Sequence, residues 1–195
     1  MNWYKKANDE FSNGSENPEE GNANDNLKEH LTLLKNMHER GNHFKDFYYS
    51  SVPDLLLKEG TKFESQPLTE EELAYLDKIK HATSRYRMKQ CFYNAQDLAS
   101  MFSDIKYVEG YLYTIIPFEH AWNTLNGKVI DFTIKKVNGG KPVLGIIPEG
   151  WEYHGITLPT GSIRSFWAKH GLTDSQLSNY RDHYPLLKEK FIPEA

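Results

Sequence analysis

A chain of 195 residues, 38% hydrophobic and 13% aromatic, is long enough to bury a core without disulfide or metal staples. Its single cysteine, Cys91, excludes an internal disulfide framework, and no apolar run approaches the roughly 18 residues of a membrane span. The whole net charge of −4 lies in the first 25 residues, where Lys5 and Lys6 meet Asp9, Glu10, Glu16, Glu19, Glu20 and Asp25. The charge-balanced remainder suggests no phosphate-binding surface, so neither nucleic acid nor a membrane is an expected partner.

The opening residues lack the apolar core of a secretory signal, which makes the cytoplasm the expected compartment. From Ala7 to Asn26 the chain is Asn, Gly, Ser, Glu and Pro with almost no apolar residue. Such a stretch cannot bury enough surface to offset its ordering entropy, so residues 1–26 read as a disordered arm and 27–195 as one domain. Leu27, Leu31, Leu34 and Met37 then recur at helical steps, with Asp25 or Asn26 as cap and Gly41 as terminator. The aromatic, irregular stretch from His43 to Gly60 predicts no defined element. Between Leu68 and Ala82, Thr69 and Glu72 form a capping box ahead of Leu73, Leu76 and Ile79.

A helix is predicted from Gln90 to Phe102, where Cys91, Ala95, Leu98, Ala99 and Phe102 share one face. The period then changes to two, predicting a strand from Tyr107 to Ile116. Lys141 to Ile147 reads as a further strand, the residues after Thr157 as a helix, and Thr173 with Gln176 as the cap of a last helix. The order of helices, antiparallel sheet and helices makes the fold class α+β.

Between these elements lies "EHAWNTLNGKVIDFT", Glu119 to Thr133. Asn126-Gly127 signals a type I′ hairpin turn, which needs positive φ at both central residues. Counting outward pairs Leu125 with Lys128, Thr124 with Val129, Asn123 with Ile130 and Trp122 with Asp131. His120, Trp122, Asp131 and Thr133 therefore share a face, with His120 and Asp131 as diagonal neighbours. A histidine and an aspartate on a hairpin can be a structural pair, and a lone cysteine is commonly a small buried apolar residue. Cys91, however, opens a helix, where the dipole and unpaired N–H groups favour a thiolate. Nucleophile, base and orienting carboxylate are the parts of a thiol triad.

"KQCFYNA", "YVEGY" and "HAW…GKVIDFT" together resemble the transglutaminase-like branch of the papain-like cysteine enzymes, over about Gln90 to Thr133. In that family the cysteine opens a helix, the histidine follows as His-Ala-Trp on a strand, and the aspartate as Asp-Pro-Thr on the next. Here Phe132 stands in place of the proline, and Lys89 in place of a glycine often found before Gln-Cys. The resemblance implies a papain-like, transglutaminase-like core and a catalytic triad of Cys91, His120 and Asp131. It also implies an acyl-enzyme on an amide or ester, and a protein or peptide substrate. The Cys91 N–H would serve an oxyanion hole, with Gln90 and Trp122 as candidate second donors. Tyr107, Tyr111 and Tyr113 could line an acyl pocket or pack in the core, and Glu109 interrupts that stripe. The alternative is a non-catalytic binding module that keeps the fold. A cell-wall peptidase is a third reading, disfavoured by the missing export signal.

No metal or cofactor is expected. His38 and His43 are five apart, and no His-Glu-x-x-His or paired-cysteine pattern occurs. His30, His81, His154, His170 and His183 are scattered and expected at the surface, and the glycines form no nucleotide-binding pattern.

Overall fold

Helix α1 (Asn26–Gly41) is followed by α2 (Val52–Glu59), β1 (Thr61–Phe63), α3 (Glu70–Thr83) and α4 (Cys91–Met101). Then come β2 (Ile105–Tyr113), β3 (Pro117–Leu125), β4 (Lys128–Asp131), β5 (Val143–Leu144), β6 (Glu152–Leu158), α5 (Thr160–His170) and α6 (Pro185–Lys188). The structure, a computed structural model, describes residues 25–41, 44–171 and 173–192; nearly all of the expected arm, and His43, lie outside them. The strands form one antiparallel sheet in the order β1–β6–β2–β3–β4–β5, so the α+β class holds.

Local chemistry accounts for the elements that were predicted. Asp25 caps α1, its carboxylate accepting from Lys28 N at 3.1 Å. At α3 the capping box is complete: Glu72 accepts from Thr69 N at 2.7 Å and Thr69 Oγ1 from Glu72 N at 3.2 Å. Glu72 also accepts from Asn126 Nδ2 and Lys128 Nζ, both at 2.8 Å, so the start of α3 is tied to the hairpin turn. That turn has φ of 50° at Asn126 and 79° at Gly127, and its register pairs Leu125 with Lys128 and Asn123 with Ile130.

Other elements depart from expectation. The unassigned stretch before Gly60 contains α2, capped by Ser51, with Val52, Pro53, Asp54, Leu55 and Leu56 all buried. The helix is only eight residues long and its first five are all buried, too short a run to display a helical period among the aromatics before it. Strand β2 stops at Tyr113, because Thr114–Ile116 turn into β3 with Ile115 88% exposed. Strand β5 is two residues long rather than seven. Strand β6, absent from the sequence reading, lies between β1 and β2. Gly155 hides its alternation, yet a side chain there would collide with Trp122 and the Glu109 carbonyl. The helix expected at Thr173 does not form; Gln176 N and Leu177 N instead donate to the carboxylate of Glu109.

One face of the sheet carries the helices. Leu27, Leu31, Leu55, Leu56, Ala95 and Ile163 pack on Tyr107, Tyr111, Ala121 and Ile156. Alongside, Leu73 and Leu76 of α3 pack on Ile105, Leu125 and Ile130. The first two helices thus belong to the main core and act as scaffold. The other face holds Val108, Leu112, Trp122, Val129 and Tyr153 and is closed by the sheet's own curvature. Tyr153 on β6 donates to Asp131 on β4 at 3.1 Å, although two strands stand between them. In a flat sheet those strands would lie roughly 14 Å apart. The sheet is therefore curled into a half-barrel, with Asp131 and His120 facing its interior.

Glu72 joins a cap, a turn and an ion pair, so Glu72→Ala should destabilise the fold by roughly 2–4 kcal/mol, more than loss of a cap alone. Burial raises its carboxyl pKa, but Lys128 and Asn126 hold it below the usual glutamate range. The difference between wild type and Glu72→Ala in urea unfolding should therefore be present at pH 7 and shrink as pH falls below about 4. An equal difference at pH 7 and pH 3 would contradict the ion-pair account.

Candidate active site

His120 lies on β3 opposite Gly110. Strand β4 pairs with β3 only at residues 123–125, so the edge of β3 is open beside His120. The first turn of α4 stands at that opening, held there by Asn94. Its Nδ2 donates to Thr133 Oγ1 at 2.9 Å and to the Arg87 carbonyl at 2.8 Å. Asn94 thereby fixes the helix that begins with Cys91 against the chain that leaves Asp131.

The three residues predicted as a triad are brought together. His120 Nε2 donates to Asp131 Oδ2 at 2.6 Å, and the two side chains are 3% and 1% exposed. Asp131 is fully engaged: Oδ2 also accepts from Tyr153 Oη at 3.1 Å, and Oδ1 accepts from Thr133 N at 2.8 Å and Ile134 N at 3.3 Å. With Nε2 committed to Asp131, Nδ1 is the ring nitrogen left for another partner, and Cys91 stands near enough to act on the charge of the ring. Burial disfavours a charged ring, but the Asp131 carboxylate and then the adjacent Cys91 thiol outweigh it, and the His120 pKa is pushed up to about 10. The carboxylate thus favours the imidazolium form of the ring. Cys91 is the partly exposed member, with its base and carboxylate buried behind it.

The approach to Cys91 is unusual in its backbone. Lys89, standing where the resembled family often has glycine, has φ of 66°, the left-handed region. Gln90 is the N-cap of α4 with φ −121° and makes no side-chain cap, so no side chain claims the first N–H groups of the helix.

The other site candidates divide. Gln90 is exposed and borders a groove beside Cys91. Trp122 is 1% exposed and packs on Phe63 and Tyr153, stacking on the His120 ring at 6.1 Å between centroids. Its Nε1 is buried without a partner among the described residues. Trp122 is thus a wall of the half-barrel, too enclosed to donate to a substrate oxyanion. Tyr111 is also withdrawn: it is 8% exposed, packs with α1 and α2, and donates to Glu119 at 3.4 Å. The void beside it, near Phe92 and Val52, is only about 10 Å³, too small for an acyl group.

Glu109, left open by the sequence, is 1% exposed. It accepts from Tyr107 Oη at 2.5 Å, Ser175 Oγ at 2.7 Å, Gln176 N at 2.8 Å and Leu177 N at 3.0 Å. Burial pushes its carboxyl up despite these bonds. Tyr107 in turn accepts from Gln96 of α4 at 2.9 Å, so the network positions the cysteine helix from the other side. Sequence reasoning missed Tyr153, because β6 was not recognised, and missed Asn94, which carried no local signal. Two histidines expected at the surface are half-buried and engaged: His154 bonds the Leu56 carbonyl at 2.9 Å and His170 bonds Asp182 at 2.8 Å. Among the described residues no group of three His, Cys, Asp or Glu could hold a metal ion, and no helix is long and apolar enough to cross a membrane. No family model, curated protein or solved structure matches the chain.

The raised His120 pKa has a sign that can be tested. A group whose pKa is higher in the folded state contributes its full stability below its unfolded value of about 6.5. That contribution disappears as pH rises through about 10. Asp131→Asn should cost about 3–5 kcal/mol at pH 6, and the difference from wild type should shrink toward pH 10. Urea unfolding across that range checks the sign; a difference that grows with pH would refute it.

Proposed function

We propose that the chain is a cysteine-dependent hydrolase or acyl transferase of the transglutaminase-like, papain-like kind, acting in the cytoplasm on an amide or ester of a protein or peptide. The observation that carries this reading is the buried His120–Asp131 pair with the partly exposed Cys91 near enough to act on the charge of its ring. A histidine that served only packing would need neither a saturated carboxylate nor a thiol neighbour.

In this reading the proton of Cys91 already resides on His120, and the Sγ thiolate attacks the substrate carbonyl carbon. The carbonyl oxygen takes the negative charge and accepts from the Cys91 N–H at the start of α4. Collapse of the tetrahedral species breaks the bond to the leaving nitrogen or oxygen, which takes the proton from His120. Water or an amine then bonds the acyl carbon and gives its proton to His120, and the thioester C–S bond breaks to release the acyl product and the Cys91 thiolate. Asp131 keeps the ring oriented throughout and stabilises its charged form before the proton leaves and after it returns.

A non-catalytic binding module is the second reading. One observation favours it: the withdrawal of Trp122 leaves Gln90 as the remaining candidate for a second oxyanion donor.

The deciding measurement is the rate of Cys91 modification by iodoacetamide against pH, read by mass spectrometry. An ordinary thiol titrates near ~8.5, an activated one at roughly 3.5–7.5. Rapid labelling at pH 6, slowed tenfold or more by His120→Ala, supports the enzyme. Labelling that rises only above pH 8 and ignores His120→Ala removes the thiolate–imidazolium pair and leaves the binding module.

A further inference from the structure

We propose that the groove beside Cys91 is a binding site for acidic polypeptide, so that the substrate of the proposed reaction carries Asp or Glu side chains next to the reacting carbonyl. This rests on the reading of Cys91 as the nucleophile. The groove has a volume of about 630 Å³ and is bordered by the two residues that flank the cysteine, Gln90 and Phe92. Anything lying in it lies along the start of α4.

Its charge is lopsided. Arg85, Arg87 and Lys89 alternate along the segment that leads into Cys91, and all three line the groove. Arg85 is neutralised by Asp97 at 2.6 Å. Arg87 and Lys89 are exposed, and neither side chain makes an ion pair among the described residues. The acid on the facing wall, Asp174, turns its carboxylate onto its own chain, accepting from Ser175 N at 2.9 Å. Two cations thus face solvent in the groove that Gln90 and Phe92 border, on a chain whose net charge is −4. An anion drawn here is drawn by these two groups against the charge of the whole molecule.

The segment bearing them is held rather than loose. Arg85 and Tyr86 both bond Asp97, Tyr86 at 3.0 Å, and Asn94 holds the Arg87 carbonyl at 2.8 Å. Lys89 follows with φ of 66°, where glycine would relax the backbone but would remove the cation. Across the groove, the Asp174 carbonyl is fixed by Gln96 Nε2 at 2.8 Å. Tyr93, 38% exposed, and Phe92 add aromatic surface between the two walls. Two cations unpaired among the described residues, on a held backbone with aromatic surface beside them, fit an extended chain with carboxylate side chains, whose backbone supplies the amide for Cys91.

Two alkylating reagents of similar shape and different charge test this directly. Cys91 should be labelled with iodoacetate and with iodoacetamide at pH 9 in low salt, and the ratio of the two rates taken. In Arg87→Gln/Lys89→Gln the iodoacetate to iodoacetamide ratio should fall roughly threefold to tenfold, and 0.5 M salt should lower the wild-type ratio likewise. Lys106→Gln, which removes a cation at the far end of α4, should leave the ratio within twofold of wild type. A Glu-rich decapeptide should protect wild-type Cys91 from iodoacetamide, while a neutral decapeptide and a single-stranded oligonucleotide should not. An unchanged ratio in the double variant overturns the site. An equal fall in Lys106→Gln assigns the effect to overall charge, and protection by the oligonucleotide alone assigns the groove to nucleic acid; either also overturns it. Slow labelling at pH 6 would count against the nucleophile, but the charge ratio at pH 9 would still report on the groove.

Discussion

A carboxylate buried to 1% exposure needs its lost hydration replaced, and the way Asp131 is satisfied sets the geometry around it. Its four donors come from separate parts of the chain: His120 on β3, Tyr153 on β6, and the backbone of Thr133 and Ile134 beyond β4. For all of them to converge, the sheet must curl until β6 faces β4. The strand must also turn at once into the 3₁₀ segment Ile134–Lys136. The charge on His120 completes the arrangement, since neutral donors alone would leave the carboxylate without an opposite charge in a dry interior. The half-barrel and the charged imidazole therefore satisfy the same requirement.

Glu109 meets the same requirement on the other face of the sheet by different means. Its donors are a phenol, a hydroxyl and backbone N–H groups, with no cation among them, and its pKa rises accordingly. The difference separates their roles. Asp131 stabilises a positive charge that can exchange a proton with a thiol, whereas Glu109 anchors chain. Its hold on Gln176 and Leu177 fixes the segment that carries Asp174, and through Tyr107 and Gln96 it reaches α4 and Trp167. Cys91 thus begins a helix fixed from both sides, by Asn94 to the Asp131 turn and by Gln96 to the Glu109 cluster. Each of these bonds adds only about 1 kcal/mol net, but leaving a buried partner unsatisfied costs about 1–3 kcal/mol, which favours a single placement.

What the sequence made legible follows from how local each signal is. The Asn126-Gly127 turn and the Thr69–Glu72 box are complete within four residues, and both appear as read. Because the turn fixes register, the shared face of His120 and Asp131 was legible too. Alternation failed for β6, whose Gly155 answers to Trp122 on a strand two places away in the sheet. The cap at Thr173 failed for a similar reason: the Glu109 carboxylate takes the N–H groups of Gln176 and Leu177, 67 and 68 residues further on, that a helix would have used. Trp122 and Tyr111 were placed on the correct faces, but a face does not reveal depth, and both proved buried. Non-local contacts decided every one of these cases, and a single sequence does not display them.

Lys89 shows how a local cost can be carried by non-local structure. A left-handed residue with a Cβ costs roughly 1–2 kcal/mol relative to glycine at the same dihedral angles. Upstream, Asp97 holds Arg85 and Tyr86; downstream, Asn94 holds the first turn of α4. With both ends fixed, the intervening residues cannot relax without breaking bonds worth more than the strain. Such a backbone does not require a cation at its tip, and glycine would be the relaxed choice if only the turn mattered. A lysine there adds an exposed cation to the groove that Arg87 also lines. The strain is thus accounted for if the charge at that position contributes to what the groove binds.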